Sequence, residues 1–238
     1  MTHIWQGLRT GCWLTAARAR GYSLILLLIS ALAITGWIAA SHGLIDPNGK
    51  PIGTDFSNVY AAGRLTWQGK AADAYDPALQ HAAEQATFGG REVPFYGWHY
   101  PPFFFAVAVL VAALPYAWGL LLWLAASFAA YLAAIRAILP RPETLLVASA
   151  FPATFVNIGH GQNGFLTAGL LSAALVTLER PMLCGLFIGE QMQQRAADRG
   201  LPGRGVDLRA QEVGDVKHVA RAFAEGRHMR GGDVEVEL

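Results

Sequence analysis

The chain has 238 residues, of which 53% are hydrophobic and 15% are charged, and its formal net charge is +1. This composition is too apolar for an ordinary soluble domain, and it indicates an all-α polytopic transmembrane helix bundle. The near-neutral charge gives no support for a nucleic-acid partner. The two cysteines, Cys12 and Cys184, are too few for a disulfide framework.

The first apolar segment covers residues 22–40 and contains no charged residue. It is long enough to cross the ~30 Å hydrocarbon core of a bilayer as one helix. Arg9, Arg18 and Arg20 precede it, and positive residues are retained on the cytoplasmic side of a membrane. We therefore predict that residues 1–21 are cytoplasmic and that the first span leads outward.

Residues 41–102 then form an extracytoplasmic loop with two helix start signals. Asp55 is placed to cap a helix that runs to about Trp67, because its carboxylate can accept hydrogen bonds from free backbone amides. Asp76 followed by Pro77 is the second signal, since proline at the first helical position has no amide to leave unpaired. The pattern predicts a surface loop of two short helices.

The apolar sequence after this loop is too long for one crossing and is divided by Pro115. We predict an interfacial or re-entrant segment at 103–114, followed by spans at 117–138, 144–158 and 165–178. This arrangement brings the GHGQNG stretch at 159–164 out on the same side as Asp55. A full crossing by residues 103–114 would place the two on opposite sides.

A further apolar helix begins after Pro181 but stops after about eight residues. Half a membrane helix leaves its last carbonyls in hydrocarbon without partners, which is unfavourable. We therefore expect the polar tail at 190–238 to be an out-of-frame or otherwise abnormal ending. A genuine soluble tail is the alternative.

Four stretches, taken in order, resemble a known membrane family. They are DFSNVYAAGRLTWQGKAADAYDP at 55–77, HYPPFFFAV at 99–107, GHGQNG at 159–164 and ERPMLCGLFIG at 179–189. They are similar to the polyprenol-phosphate-mannose-dependent mannosyltransferases of glycosyltransferase family 87, in the GT-C superfamily. The resemblance covers roughly residues 20–189 and implies a GT-C-like N-terminal module only.

The resemblance implies that Asp55 is the catalytic base of a glycosyltransferase. A sugar hydroxyl is a poor nucleophile until its proton is removed, and a base must lie within hydrogen-bond reach of it. A lipid-linked donor holds its phosphate at the membrane surface, so the base belongs on a helix at that surface. Direct displacement would invert the anomeric carbon. The alternative role for Asp55 is a helix cap.

Polar residues near the predicted membrane face complete the candidate site. Arg64 lies one helical turn after Tyr60 and can hold a phosphate bidentately. The GHGQNG stretch offers amide side chains at a helix break, in a shifted version of the family's GQ-x-N-like signature. Each residue also has a structural alternative, such as a surface charge or a satisfied loop. The predicted substrate-binding residues are Tyr60, Arg64, His99, Tyr100, His160, Gln162 and Asn163.

The sequence contains no nucleotide-binding glycine motif and no carboxylate pair with ligand spacing, so we predict no metal and no cofactor. The implied partners are membrane lipid, a polyprenyl-phosphate sugar, and a glycan or glycolipid acceptor. The implied location is the cell membrane, with a multi-pass chain and an extracytoplasmic site. We expect this chain to be truncated and impaired, because helices that would enclose the lipid tail are missing.

A non-catalytic small membrane protein is the alternative, either an assembly partner or a transporter fragment. A transporter is expected to carry ionisable residues at mid-bilayer depth. The predicted spans contain essentially none apart from Arg136 near an end, which argues against transport. An assembly partner remains open at this point, because small-residue runs such as AASFAA suit helix packing in either case.

Overall fold

The computed structural model describes residues 13–185 and 187–188, and these residues form helices and turns without a β-strand. The all-α fold class is therefore confirmed for this part of the chain. Cys12 and the predicted abnormal tail at 190–238 lie outside the described residues. The α-helices, in chain order, are α1 Ala16–Ala39, α2 Thr54–Trp67, α3 Pro77–Thr87, α4 Phe105–Ala112, α5 Tyr116–Ile138, α6 Thr144–Ala150, α7 Pro152–His160 and α8 Gly164–Val176.

Helices α1 and α5 are the two described helices that are long and apolar enough to cross a membrane. Helix α1 begins six residues before the predicted span, because the Oγ1 of Thr15 accepts a hydrogen bond from the amide of Arg18. Its apolar side chains, for example Leu28 and Leu32, are more than half exposed. A broad exposed apolar surface is typical of a helix that faces lipid.

The first loop helix, α2, is present where the sequence predicted it, but Asp55 does not cap it. The cap position is Gly53, which has a left-handed backbone with φ of 74° and makes no side-chain cap bond. A Cβ on Gly53 would lie 2.9 Å from a methyl carbon of Leu120. The capping prediction for Asp55 was therefore wrong, because close packing against α5 determines where the helix begins.

The second loop helix, α3, begins as predicted. The Oδ1 of Asp76 accepts hydrogen bonds from the amides of Ala78 and Leu79, at 2.9 and 3.1 Å, and Pro77 is the first helical residue. This arrangement satisfies two of the amides that a helix leaves without partners at its start.

The segment between the loop and α5 is a short helix held between two others. A 3₁₀ turn at Pro102–Phe104 continues into α4, and together they are about 17 Å long, too short to cross a bilayer. A Cβ on Gly63 of α2 would lie 2.2 Å from the carbonyl oxygen of Ala108. A Cβ on Gly119 of α5 would lie 2.5 Å from the carbonyl oxygen of Val111. Glycine therefore permits close approach on both sides.

The two last predicted spans are shorter in the structure than in the prediction. The 144–158 segment is divided at Phe151 into α6 and α7, because Pro152 cannot continue the first helix. Helix α8 has 13 residues, about 20 Å, and packs on α5 through Phe165, whose ring centroid is 4.9 Å from that of Phe128.

Polar contacts at the two ends of α5 connect it with α1 and with α2. At one end, Arg20 forms an ion pair of 2.7 Å with Glu143, so the start of α1 lies beside the turn that follows α5. At the opposite end, the hydroxyl of Tyr116 donates to the carbonyl oxygens of Ile52 and Gly53, at 2.8 and 3.1 Å. The start of α5 is thus tied to the start of α2.

An aromatic core joins the loop helices to α5. The ring of Tyr116 makes edge contacts with Phe56, Tyr60 and Phe88, with centroid distances of 5.0–5.3 Å. Aromatic rings favour such edge-to-face packing, and large buried rings contribute much of a core's stability. The loop module is therefore packed on the bundle.

Candidate active site

The start of α2 and the turn at residues 159–164 touch, although they are distant in the sequence. Gly161 has φ of 64°, and a Cβ added to it would lie 2.8 Å from the Cβ of Phe56 and 3.2 Å from the Cα of Gly53. The indole nitrogen of Trp123 donates to the carbonyl of Gly161 at 3.0 Å. Asp55, between Gly53 and Phe56 in sequence, is thereby held next to the 159–164 turn.

The hydroxyl of Thr54 links Asp55 with His160 by two polar contacts. The Oγ1 of Thr54 lies 2.9 Å from Nδ1 of His160 and 3.4 Å from Oδ1 of Asp55. Thr54 is buried, Asp55 is half-buried and His160 is exposed. An acid and an imidazole are therefore brought together at the edge of the fold. The sequence predictions did not include Thr54.

The 159–164 turn is organised by Asn157, which the sequence predictions missed. In the amide orientation that satisfies its neighbours, its side chain donates to the carbonyl of Gln162 at 3.0 Å and accepts from the amides of Gly164 and Phe165 at 3.1 and 3.3 Å. This buried side chain therefore satisfies the free amides at the start of α8. The side chain of Asn163 makes no cap bond, and both Gln162 and Asn163 are half-buried.

Tyr60 and Arg64, two of the predicted substrate-binding residues, lie outside the contact between Thr54, Asp55 and His160. The hydroxyl of buried Tyr60 donates to the carbonyl of Leu114 at 2.9 Å. Arg64 is nine residues after Asp55, about 13 Å along α2 and on its opposite face. Arg64 and Tyr60 line a groove of about 840 Å³ that neither Asp55 nor His160 lines. The structure therefore does not bring Arg64 together with Asp55.

In the WHYPP stretch at 98–102, the aromatic residue Tyr100 has a structural role. The ring of Tyr100 stacks on that of Phe104 at 4.3 Å, and its carbonyl accepts a hydrogen bond from Tyr75 at 2.9 Å. His99 is exposed. The pKa of Tyr96 is raised by burial and by the carboxylates of Asp55 and Asp46, so Tyr96 lies within the electrostatic reach of Asp55.

A buried polar network supports the helix that carries Asp55. The side chain of Asn58, one turn after Asp55, donates to the carbonyl of Tyr96 at 3.1 Å, and Gln80 donates to the carbonyl of Asn58 at 3.0 Å. Fully buried Glu84 accepts a hydrogen bond from the amide of Tyr96 at 3.1 Å. Burial raises the pKa of Glu84, although that amide and Gln80 partly oppose the change.

The described residues contain no group of three or more His, Cys, Asp or Glu side chains arranged to hold a metal ion. The expectation of a metal-free and cofactor-free site stays a prediction. The chemistry of the contact is that of one carboxylate, one imidazole and amide groups, which suits proton transfer and the hydrogen bonding of sugar hydroxyls.

Comparison with known proteins bears on the segment that contains the 159–164 turn. Residues 98–189 match the family model described as Glycosyltransferase family 87. This segment of the chain is similar to glycosyltransferase family 87. No curated protein and no solved structure matches the chain. The family resemblance inferred from the sequence is thus confirmed for the matched segment.

The family implies a membrane glycosyltransferase. The two long apolar helices agree with a membrane location. The matched segment includes His99, Tyr100 and the 159–164 turn, whereas Asp55 and the rest of α2 lie before it. The contact through Thr54 is therefore what joins Asp55 to the matched segment.

Proposed function

We propose that this chain is the N-terminal module of a glycosyltransferase that moves a hexose, of the mannose type, from a polyprenyl phosphate to an acceptor hydroxyl. The observation that carries the proposal is the contact between α2 and the 159–164 turn, which places Asp55 beside residues of the family-matched segment. The acceptor is a glycan or glycolipid. The site needs no metal in this proposal.

Asp55 serves as the general base. It takes the proton from the acceptor hydroxyl while that oxygen attacks the anomeric carbon and the bond from this carbon to the donor phosphate breaks. The polyprenyl phosphate leaves with the electron pair, and attack from the opposite side inverts the anomeric carbon. A half-buried carboxylate suits this role because it is reachable from solvent but partly screened from water.

The proposed binding residues fall into two groups, according to whether they lie on the 159–164 turn. His160, Gln162 and Asn163 lie on the 159–164 turn, and their side chains are placed to hydrogen-bond sugar hydroxyls or phosphate. His99 is exposed and is proposed as a further phosphate contact. The other proposed substrate-binding residues carry less support from the geometry: Tyr60 bonds Leu114, Tyr100 stacks on Phe104, and Arg64 lies on the opposite face of α2 from Asp55.

The proposed topology is multi-pass in the cell membrane, with a cytoplasmic N-terminus and the site outside. The ion pair between Arg20 and Glu143 supports it, because it joins the start of α1 to the turn after α5. In a cysteine-free background, Arg141→Cys should react with an impermeant maleimide only from the cytoplasmic side, and His160→Cys only from the outer side. Equal labelling of both positions from one side contradicts this topology.

The catalytic proposal is tested with the purified chain in nanodiscs and a radiolabelled polyprenyl-phosphate mannose, and the rate of the unaltered chain, expected to be impaired, is the reference. Asp55→Asn should keep donor binding but lower transfer by at least about 100-fold, the range for loss of a general base. Asp73→Asn changes a carboxylate of the same loop outside the contact with the 159–164 turn and should transfer at the unchanged rate. Equal transfer by the Asp55 and Asp73 variants contradicts the role of Asp55.

A further inference from the structure

One buried hydroxyl lies between the two ionisable groups of the candidate site. Thr54 is 6% exposed, and its Oγ1 is 2.9 Å from Nδ1 of His160 and 3.4 Å from Oδ1 of Asp55. A hydroxyl has one proton to donate and two lone pairs that accept. The protonation of Nδ1 therefore decides what Thr54 can do for Asp55.

Two proton arrangements are possible. If Nδ1 of His160 is unprotonated, the hydroxyl of Thr54 must donate to it, and then it has no proton left for Asp55. If Nδ1 carries the proton, the imidazole donates to Thr54, and Thr54 is free to donate to the carboxylate. The second arrangement satisfies all three groups, and a hydrogen bond to a charged carboxylate is stronger than one between neutral groups.

We propose that Thr54 is a positioning residue that holds His160 in the tautomer with the proton on Nδ1, and that donates to Asp55. Among the described residues, no partner bonds Nε2 of His160, and the ring is exposed. Nε2 is then left as a hydrogen-bond acceptor at the open side of the site, facing an incoming sugar hydroxyl. The link to catalysis rests on the proposed function of Asp55, whereas the tautomer does not.

Thr54 is well placed for this role because it cannot move freely. It is the first residue of α2, directly after Gly53, whose backbone is in contact with Leu120 and Gly161. The bond to His160 is the shorter of the two, so Thr54 mainly fixes the imidazole. The longer contact with Asp55 orients the carboxylate but does not restrain it tightly.

The test is nitrogen NMR of the full chain labelled with ¹⁵N-histidine in nanodiscs, at about pH 9, above the usual range for imidazole protonation. His160→Gln identifies the signals of His160 among the seven histidines. We expect His160 of the unaltered chain to show mainly the Nδ1–H form. Thr54→Val, which removes only the hydroxyl function, should shift it to mainly Nε2–H, and Thr54→Ser should restore Nδ1–H.

Each outcome decides the proposal. A mainly Nε2–H signal in the unaltered chain overturns it, and this measurement needs no variant to fold. An unchanged tautomer in Thr54→Val, or a Thr54→Ser variant that behaves like Thr54→Val, also overturns it. None of these results measures sugar transfer, so they leave the transfer assay of Asp55→Asn as a separate test of the proposed function.

Discussion

Gly161 and Phe56 are in such close contact that a Cβ added to the glycine would lie 2.8 Å from the Cβ of Phe56. Gly161 also has φ of 64°, a conformation that costs little only for glycine. This pair joins the family-matched segment to the helix that carries Asp55. The whole candidate site depends on a position that tolerates no side chain.

Gly161→Ala should therefore destabilise the chain by roughly 1–3 kcal/mol, because it adds both backbone strain and an overlap. The measurement is thermal unfolding in detergent. The matched control is Gly159→Ala, two residues earlier in α7, where an added Cβ meets nothing within 4 Å. That change should raise stability by about 0.5–1 kcal/mol, since alanine favours helix over glycine. Equal effects at both positions would contradict the contact.

Gly63→Ala should separate α4 from α2. An added Cβ would lie 2.2 Å from the backbone oxygen of Ala108, which cannot move away as a flexible side chain could. The expected loss is about 1–3 kcal/mol or more by the same unfolding measurement. Gly36→Ala, in α1 with nothing within 4 Å, is the control and should be neutral or stabilising. A neutral Gly63→Ala would show that α4 does not pack there.

The two aspartates near helix starts should respond differently to alanine. Asp76→Ala removes two hydrogen bonds to the first turn of α3 and should cost about 1 kcal/mol of folding free energy. Asp55→Ala removes no cap bond, because Gly53 occupies the cap position of α2. Thermal unfolding measures the stability of both variants. An equal loss of folding free energy in Asp55→Ala would show that Asp55 does cap α2.

Stability should fall as pH rises above the ordinary Glu value of 4.5, because burial raises the pKa of Glu84 in the folded chain. In that window the folded state holds a proton that the unfolded state has released, so a rise in pH favours unfolding. This decrease of stability with pH continues up to the raised pKa of Glu84. Thermal midpoints measured from pH 4 to pH 8 would show it.

Glu84→Gln should flatten this slope, because glutamine does not titrate. Glu92→Gln is the control, since Glu92 is an exposed residue of the same loop and its removal should leave the slope unchanged. A slope that persists in Glu84→Gln assigns the titration to another group.

Local sequence features determined much of the helical framework. Long apolar stretches predict the central parts of α1 and α5, because a long run of apolar residues satisfies its backbone only as a helix in lipid. Asp76 and Pro77 determine the start of α3 by bonds within three residues. Helix geometry alone would also have argued against one prediction, since a spacing of nine residues places Arg64 on the face of α2 opposite Asp55.

The tertiary structure alone decided how the site is assembled. The contact of Thr54 with His160 joins residues 106 positions apart, and no local pattern encodes such a pair. The same holds for the cap at Gly53, which Leu120 and Gly161 determine by packing, and for the burial of Glu84 beneath Tyr96. Propensity and periodicity act over a few residues, whereas these positions are set by steric fit and hydrogen bonding between distant helices.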